Sequence, residues 1–277
     1  MMHAVAAELG FRVIAPDRPG IGASPMIAGR TLTDWPAQVA ALADSLGIGR
    51  FSVLGVSGGG PYALVAAWGL PGRIVSAHVV CGAPPVADLA GTGRLHPGYR
   101  FLIWLYRNHP QSVRAVFAAA RPFMLWTGAA RFLPPLRIVL PRPDAEALSD
   151  PTYFDVIFGC QRDAFADLDG LFTDAKIYAE PWGFRPEEIR VPVHFWHGKD
   201  DANFHHSLAS ELAARIPGAR LALVENEAHF SLPIRRVREV LAAIAVAGCW
   251  RHRRENPPLS AWQVRPNPYV PAPYVHV

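Results

Sequence analysis

Short apolar runs alternate with helical stretches along most of the chain. Strand-like runs are predicted at residues 11–15, 51–54, 74–81, 191–197 and 219–224. Helices are predicted around them, at residues 3–9, 32–46, 61–69, 207–216 and 234–247. Strands that alternate with helices build a mostly parallel sheet with helices on both faces, so the pattern predicts an α/β fold.

The pattern changes between residues 86 and 190, where helical stretches are separated by prolines and no clear β-run occurs. These stretches cover residues 99–108, 111–120, 143–148 and 151–167. A segment of this length is too long for a loop between strands. We therefore predict a core in two parts, residues 1–85 and 191–247, with an inserted helical lid at 86–190.

The last segment, residues 248–277, begins with basic residues and continues as a run rich in proline, valine and tyrosine. Such a composition does not supply a packed core, because it offers little apolar surface in a regular pattern. We predict an extended and largely disordered tail.

Composition narrows the class of protein. The chain has 277 residues, and its hydrophobic content of 51% favours a well-packed soluble globule; its net charge of +4 is mild. Its three cysteines (Cys81, Cys160 and Cys249) are far apart in the sequence, so neither a disulfide framework nor a zinc site is predicted. No secretory signal is expected, and the cysteine usage fits the cytoplasm.

A serine stands at a strand–turn–helix junction. Residues 55–59 are Gly-Val-Ser-Gly-Gly, between an apolar run and an Ala-rich helical stretch. This arrangement is typical of a nucleophile elbow, in which strained backbone holds the Ser57 hydroxyl clear of the sheet. Gly55 and Gly59 are predicted to leave room for the turn, and the Gly58 amide to face a developing oxyanion. The alternative is a glycine-rich turn between a core strand and a core helix.

Two further candidates follow later strands. Asp201 (or Asp200) and His229 come just after predicted strands, as Ser57 does, so all three should meet at one edge of a parallel sheet. Serine is a poor nucleophile until a histidine takes its proton, and the histidine needs a carboxylate on its other nitrogen. The order Ser, Asp, His along the chain suits this chemistry on an α/β sheet.

Four stretches together resemble the α/β-hydrolase superfamily, in its lid-bearing serine esterase, lipase and peptidase branch, over about residues 3–247. They are residues 17–24 (Asp-Arg-Pro-Gly-Ile-Gly-Ala-Ser), 55–59, 197–201 and 228–230. The resemblance implies a serine hydrolase that needs no cofactor. It also places the acid third after the glycine of the 197–201 turn, which favours Asp201 over Asp200.

The resemblance leaves the activity open. It implies attack by Ser57 on an ester or amide carbonyl, and an apolar lid favours hydrophobic acyl groups, so a carboxylesterase is the first expectation. An aminopeptidase or acyltransferase of the same superfamily is the alternative, as is an inactive hydrolase-like fragment or binding scaffold.

The start of the sequence departs from the family pattern. The resemblance implies further strands ahead of residue 1, one of them central, and a His-Gly loop that gives a second oxyanion amide. The sequence begins inside the helix that should follow this loop. We therefore expect a truncated form that lacks its N-terminal strands and one oxyanion donor.

Arginines dominate part of the predicted lid. No acid occurs between Asp88 and Asp144, and the arginines at positions 100, 107, 114 and 121 recur every seven residues. They could lie on an anionic membrane surface or form a solvated face over an apolar pocket. No nucleic-acid motif is present. The histidines do not predict a metal site either, because His194 and His197 point to opposite faces of a strand.

Overall fold

A computed structural model describes residues 2–126 and 138–247 of the chain. Its sheet has four parallel strands that lie side by side in chain order: β1 (Phe51–Val56), β2 (Ile74–Val80), β3 (Val193–Gly198) and β4 (Arg220–Val224). A parallel neighbour requires a crossover connection, and at least one helix follows each strand. The α/β fold with a mostly parallel sheet is therefore confirmed.

The helices of the core lie before, between and after these strands. They are α1 (His3–Glu8), α2 (Trp35–Ser45), α3 (Gly59–Gly69), α9 (His206–Arg215), α10 (Ser231–Arg235) and α11 (Val237–Ala247). Helices α3 and α9 bury Leu64 and Leu212 against one face of the sheet. Helices α1 and α11 bury Ala6 and Leu241 against the other face. Apolar clusters on both faces explain why hydrophobic side chains point to both sides of the strands.

The prediction of a strand over residues 11–15 is wrong. The run forms no strand, although Phe11 and Val13 pack against the apolar cluster that contains Leu241. Hydrophobic burial holds these residues on the core, whereas a strand also needs a neighbouring ladder. In the described part of the chain, the ladder partner of β1 is β2.

The described residues between β2 and β3 include five α-helices that we call the intervening helices. They are α4 (Pro97–Asn108), α5 (Pro110–Trp126), α6 (Arg142–Ala147), α7 (Pro151–Ala166) and α8 (Leu168–Ala179). The first four match stretches predicted from the sequence, and α8 does not. Asp167 caps α8 by accepting hydrogen bonds from the amides of Asp169 and Gly170. Aspartate is a favoured N-cap residue, so a start signal for α8 was present in the sequence although the helix was not predicted.

The regularly spaced arginines divide between two helices, because α4 ends at Asn108 and α5 begins at Pro110. Arg107 donates to the carbonyl oxygen of Val86, Arg114 pairs with Asp169, and Arg121 donates to carbonyl oxygens at the end of α7. These guanidinium groups therefore bind neighbouring segments of the protein as well as facing solvent.

The cysteines, the predicted tail and the membrane-crossing character of the helices complete the description. Cys81 and Cys160 are free thiols, whereas Cys249 and the predicted tail at 248–277 lie outside the described residues. No helix within residues 2–126 and 138–247 has the length and apolar character that crossing a membrane requires.

Candidate active site

Ser57 occupies a strained turn directly after β1. Its φ angle is +53°, in the left-handed region that residues with a side chain seldom adopt. Backbone hydrogen bonds hold it there: its amide donates to Val80 at 2.9 Å, and its carbonyl oxygen accepts from Ala83 at 2.9 Å. Both partners belong to β2 or the loop after it, so the neighbouring strand fixes the serine backbone.

The two glycines beside Ser57 play different parts. A Cβ atom on Gly55 would lie 2.2 Å from the carbonyl oxygen of Gly59, so the strand and the start of α3 can approach only if residue 55 is glycine. A Cβ on Gly59 would meet no heavy atom within 4 Å. We predicted that residue 59 must be glycine to leave room for the turn, and this is wrong. The backbone of residue 59 approaches Gly55, but a side chain at position 59 would meet nothing.

The side chains of Ser57, His229 and Asp201 form one hydrogen-bonded chain. His229 Nε2 lies 2.8 Å from Ser57 Oγ, and His229 Nδ1 lies 2.9 Å from Asp201 Oδ2. The three residues follow β1, β4 and β3, so the parallel sheet brings its carboxyl ends, and these groups, to one edge. Asp200 is exposed, and its backbone amide donates to Glu227, so the geometry distinguishes the two aspartates.

The hydrogen bonds define which imidazole nitrogen carries the proton. A carboxylate oxygen can only accept, so His229 donates from Nδ1 to Asp201. In the neutral ring, Nε2 then presents a lone pair to the Ser57 hydroxyl. Phe204 and Phe230 stand edge-on to the imidazole, with ring centroids 5.4 and 5.1 Å away, and they restrict its rotation.

Asp201 is held from several sides. Its Oδ1 accepts from the amides of Asn203 and Phe204 at 2.8 and 3.0 Å. Its Oδ2 also lies 3.2 Å from Nε2 of His197, a buried side chain whose Nε2 is 2.8 Å from the carbonyl oxygen of Phe204. Because both neighbours of this nitrogen are acceptors, His197 carries its proton on Nε2.

Charge and hydrogen bonding keep the Asp201 carboxyl ionised. Burial alone opposes ionisation, but His229 and the hydrogen bond from His197 outweigh it, so the pKa of Asp201 lies well below its usual value. The sequence did not indicate that His197 would donate a hydrogen bond to Asp201. Only its place in the 197–201 turn, four residues before the aspartate, could have suggested it.

Cys81 lies beside the same pair. A ligand atom of each of Cys81, Asp201 and His229 falls within 4.8 Å of the others, which is the spacing of a possible metal site. Burial, followed by the charge of Asp201, raises the pKa of the Cys81 thiol well above its usual value. A thiol is a poor ligand until it is deprotonated, and His229 already uses Nδ1 on Asp201. The hydrogen-bonded arrangement therefore fits these residues better than a metal does.

A polar cluster beneath the serine turn links it to α8. Tyr178 donates from its hydroxyl to the carbonyl oxygen of Gly58 at 2.9 Å, and a Cβ on Gly58 would lie 2.5 Å from that hydroxyl. Nearby, Asp174 accepts from Tyr62 and from two arginines, Arg18 and Arg30. Burial, followed by the charge of Asp174, raises the pKa of Tyr62 to about 12, so the Tyr62 hydroxyl keeps the proton that it donates at neutral pH. None of these contacts was predicted.

Comparison with known proteins gives a consistent picture of the fold. The model of a family described as "Alpha/beta hydrolase family" matches residues 2–244. A thermophilic esterase from Thermogutta terrifontis is 23% identical with a TM-score of 0.60, covering 88% of this chain and 82% of its own. The enol-lactonase from Burkholderia xenovorans LB400 is 21% identical with a TM-score of 0.59, covering 89% and 85%.

A third solved structure, an alpha/beta hydrolase fold protein from Nakamurella multipartita, is 22% identical with a TM-score of 0.55, covering 87% of this chain and 86% of its own. At these identities the solved structures show the shared fold alone. A search of curated proteins by sequence found no match.

Proposed function

This chain belongs to the alpha/beta hydrolase family, and we propose that it is a serine hydrolase in which Ser57, His229 and Asp201 form the catalytic triad. The observation that carries the proposal is the unbroken hydrogen-bonded chain from Asp201 through His229 to Ser57, with distances of 2.9 and 2.8 Å. Both distances are hydrogen-bond distances, so His229 Nε2 is close enough to take the Ser57 hydroxyl proton as a general base.

The proposed reaction has two halves. Ser57 Oγ attacks the carbonyl carbon of the substrate while His229 Nε2 takes the hydroxyl proton, and Asp201 stabilises the imidazolium that forms. The tetrahedral intermediate then collapses, and His229 passes this proton to the departing oxygen or nitrogen. An acyl group remains on Ser57, and a water molecule activated by the same histidine releases it as a carboxylic acid.

The backbone after Ser57 is the proposed oxyanion site. The amide of Gly58 comes directly after the nucleophile and next to the first residues of α3, so the positive end of that helix adds to its effect. Tyr178 supports this turn from below through the Gly58 carbonyl oxygen. A fixed donor of this kind stabilises charge that develops only in the transition state.

Esters are the proposed substrates, with carboxylesterase as the specific activity. Two neighbours in fold, the Thermogutta terrifontis esterase and the Burkholderia xenovorans enol-lactonase, are named for reactions at ester bonds. We further propose that the intervening helices cap the site, because Tyr178 of α8 bonds to Gly58 and Asp174 of α8 bonds to Tyr62 of α3.

The test compares esters and amides with the same acyl group. Purified protein is assayed with p-nitrophenyl esters of increasing acyl length and with the corresponding p-nitroanilides. Ser57→Ala should lose ~10³-fold or more in kcat. Ser52→Ala is the matched control, since Ser52 lies on β1, the strand that leads to Ser57, and bonds to Ser76. Preference for the anilides would favour a peptidase, and equal rates for Ser57→Ala and wild type would contradict the triad.

A further inference from the structure

Helix α6 places a buried carboxylate next to the loop that carries His229. Asp144 is only 1% exposed. Its Oδ1 accepts hydrogen bonds from the amides of Phe230 at 2.9 Å and of Ser231 at 2.7 Å. These are the two residues that follow His229; Phe230 is the N-cap of α10 and Ser231 is its first residue. A side chain from between β2 and β3 therefore caps a helix that lies 86 residues later in the sequence.

The surroundings of Asp144 offset the cost of burying its carboxylate. Burial raises the pKa of Asp144, and the amides of Ser231 and Phe230 work in the opposite direction, as does the charge of His229. A buried carboxylate is costly unless its oxygens are satisfied, and backbone amides at the start of a helix satisfy them well. Around this contact, Ile234 of α10 packs with Ala147 and Leu148.

His229 has to meet two partners at once. Its ring reaches Ser57 on one side and Asp201 on the other, at 2.8 and 2.9 Å, so a small shift of its backbone would break one of the two bonds. Just before His229, the amide of Ala228 donates to the Ser231 hydroxyl at 2.7 Å. Just after His229, the amides of Phe230 and Ser231 are held by Asp144.

We propose that Asp144 is a positioning residue for His229. Because Asp144 belongs to α6, one of the intervening helices then helps to hold the proposed histidine base in place. This inference rests on the proposed function for its catalytic consequence. Asp144 acts through the backbone of residues 230 and 231 and does not touch the reacting atoms. A misplacement of about 1 Å at a catalytic group can cost ~10²-fold in rate, and that is the order of effect expected if the two hydrogen bonds are lost.

The competing explanation is that Asp144 only stabilises the packing of α6 on α10. A second contact between the same helices provides the control, because Glu146 pairs with Arg235 at 3.2 Å on the surface. Glu146→Ala removes an interhelical contact without touching the amides that follow His229. If helix packing alone matters, the two positions should behave alike once the folded fraction is taken into account.

The experiment compares Asp144→Ala, Asp144→Asn and Glu146→Ala with wild type in the full chain. For each variant, kcat is measured per active site titrated with a fluorophosphonate. Asp144→Ala should lower kcat by ~10- to 100-fold with little change in KM. Asp144→Asn should recover most of the rate, because its amide oxygen can still accept both backbone hydrogen bonds. Glu146→Ala should keep the wild-type kcat.

A spectroscopic measurement gives a result that does not depend on activity. The imidazole N–H of His229 that bonds to Asp201 should give a far-downfield proton resonance in wild type, in Asp144→Asn and in Glu146→Ala. In Asp144→Ala this resonance should broaden or vanish, because the ring is no longer held on Asp201. An unchanged resonance and an unchanged kcat per site in folded Asp144→Ala would overturn the proposal, as would absence of the resonance from wild type.

The two proposals fail in different ways. Suppose that the resonance is present in wild type and absent from Asp144→Ala, but that wild type is not labelled at Ser57. This result would contradict the hydrolase function and leave the positioning of His229 standing. A protein that is labelled equally fast in wild type and Asp144→Ala would contradict the positioning and leave the hydrolase function standing.

Discussion

The hydroxyl of Tyr178 lies 2.9 Å from the carbonyl oxygen of Gly58, one residue after Ser57. Tyr178 belongs to α8, one of the intervening helices, whereas Gly58 belongs to the turn between β1 and α3. A hydrogen bond between these elements fixes the peptide that follows the proposed nucleophile, so α8 supports the geometry of the turn.

Replacing Tyr178 by phenylalanine tests this support. Loss of one hydrogen bond should lower the free energy of unfolding by about 1 kcal/mol, and it should slow acylation of Ser57 several-fold because the Gly58 peptide is less firmly held. Tyr106→Phe is a matched control that removes a hydrogen bond to Glu180 instead. Stopped-flow ester hydrolysis and urea unfolding measure the two effects. Equal rates in the two variants would contradict a role for Tyr178 at the turn.

The asymmetry of the two glycines leads to a second prediction. Gly55→Ala places a Cβ 2.2 Å from the Gly59 carbonyl oxygen, so it should displace the turn and abolish labelling of Ser57 or prevent folding. Gly59→Ala meets open space and should fold and react nearly as wild type does. Circular dichroism and fluorophosphonate labelling of both variants measure the outcome. Normal labelling of Gly55→Ala would show that the turn tolerates the shift.

The choice between the two aspartates leads to a third prediction. Asp201→Asn removes the carboxylate that fixes the His229 tautomer, and in a comparable triad such a change lowered kcat by ~10⁴-fold. Asp200→Asn should change kcat less than about twofold, because this exposed side chain makes no contact with the imidazole in the described structure. Steady-state ester hydrolysis checks both variants. A large loss in Asp200→Asn would reverse the assignment.

The sequence was sufficient for groups whose position follows from chain order. Ser57, Asp201 and His229 each stand just after a strand, and a parallel sheet collects such residues at one edge. The elbow sequence also indicated strained backbone at Ser57, where φ is +53°. In both cases, a local pattern together with the sheet type is enough to fix the geometry.

The sequence was not sufficient for contacts between distant segments. The partners of Asp174, of Asp144 and of Tyr178 lie 86 or more residues away, so no local pattern could indicate these pairs. The run at 11–15 fails for a related reason. Its apolar residues predict burial, which occurs, but a strand also depends on a neighbour that the run itself does not specify.

A buried histidine outside the site gives a prediction about stability and pH. His78 of β2 stacks on His194, with ring centroids 4.9 Å apart, and its Nε2 lies 3.0 Å from Ser76 Oγ. Burial, together with the charge of His194, lowers the pKa of His78 to about 4. The unfolded chain takes up this proton near its usual pKa of about 6.5, so the stabilisation is present above that pH and is lost as the pH falls toward the folded value.

The expected slope is measurable. Between about pH 6.5 and 4, a histidine that protonates only in the unfolded state lowers the free energy of unfolding by up to about 1.4 kcal/mol per pH unit. His78→Phe keeps a ring against His194 and removes this proton, so its stability should fall less steeply in that window. Urea unfolding at several pH values compares the two proteins. An unchanged slope would mean that other groups dominate acid unfolding.

Labelling of Ser57 by a fluorophosphonate tests the central claim most directly, because the reagent needs a serine activated by its histidine and does not depend on the choice of substrate. Intact-mass spectrometry and peptide mapping should find about one phosphonyl group per folded chain, located on Ser57, as expected for an activated nucleophile. Ser57→Ala should take up none. Absence of labelling in protein that circular dichroism shows to be folded, or equal labelling of Ser57→Ala, would contradict the account.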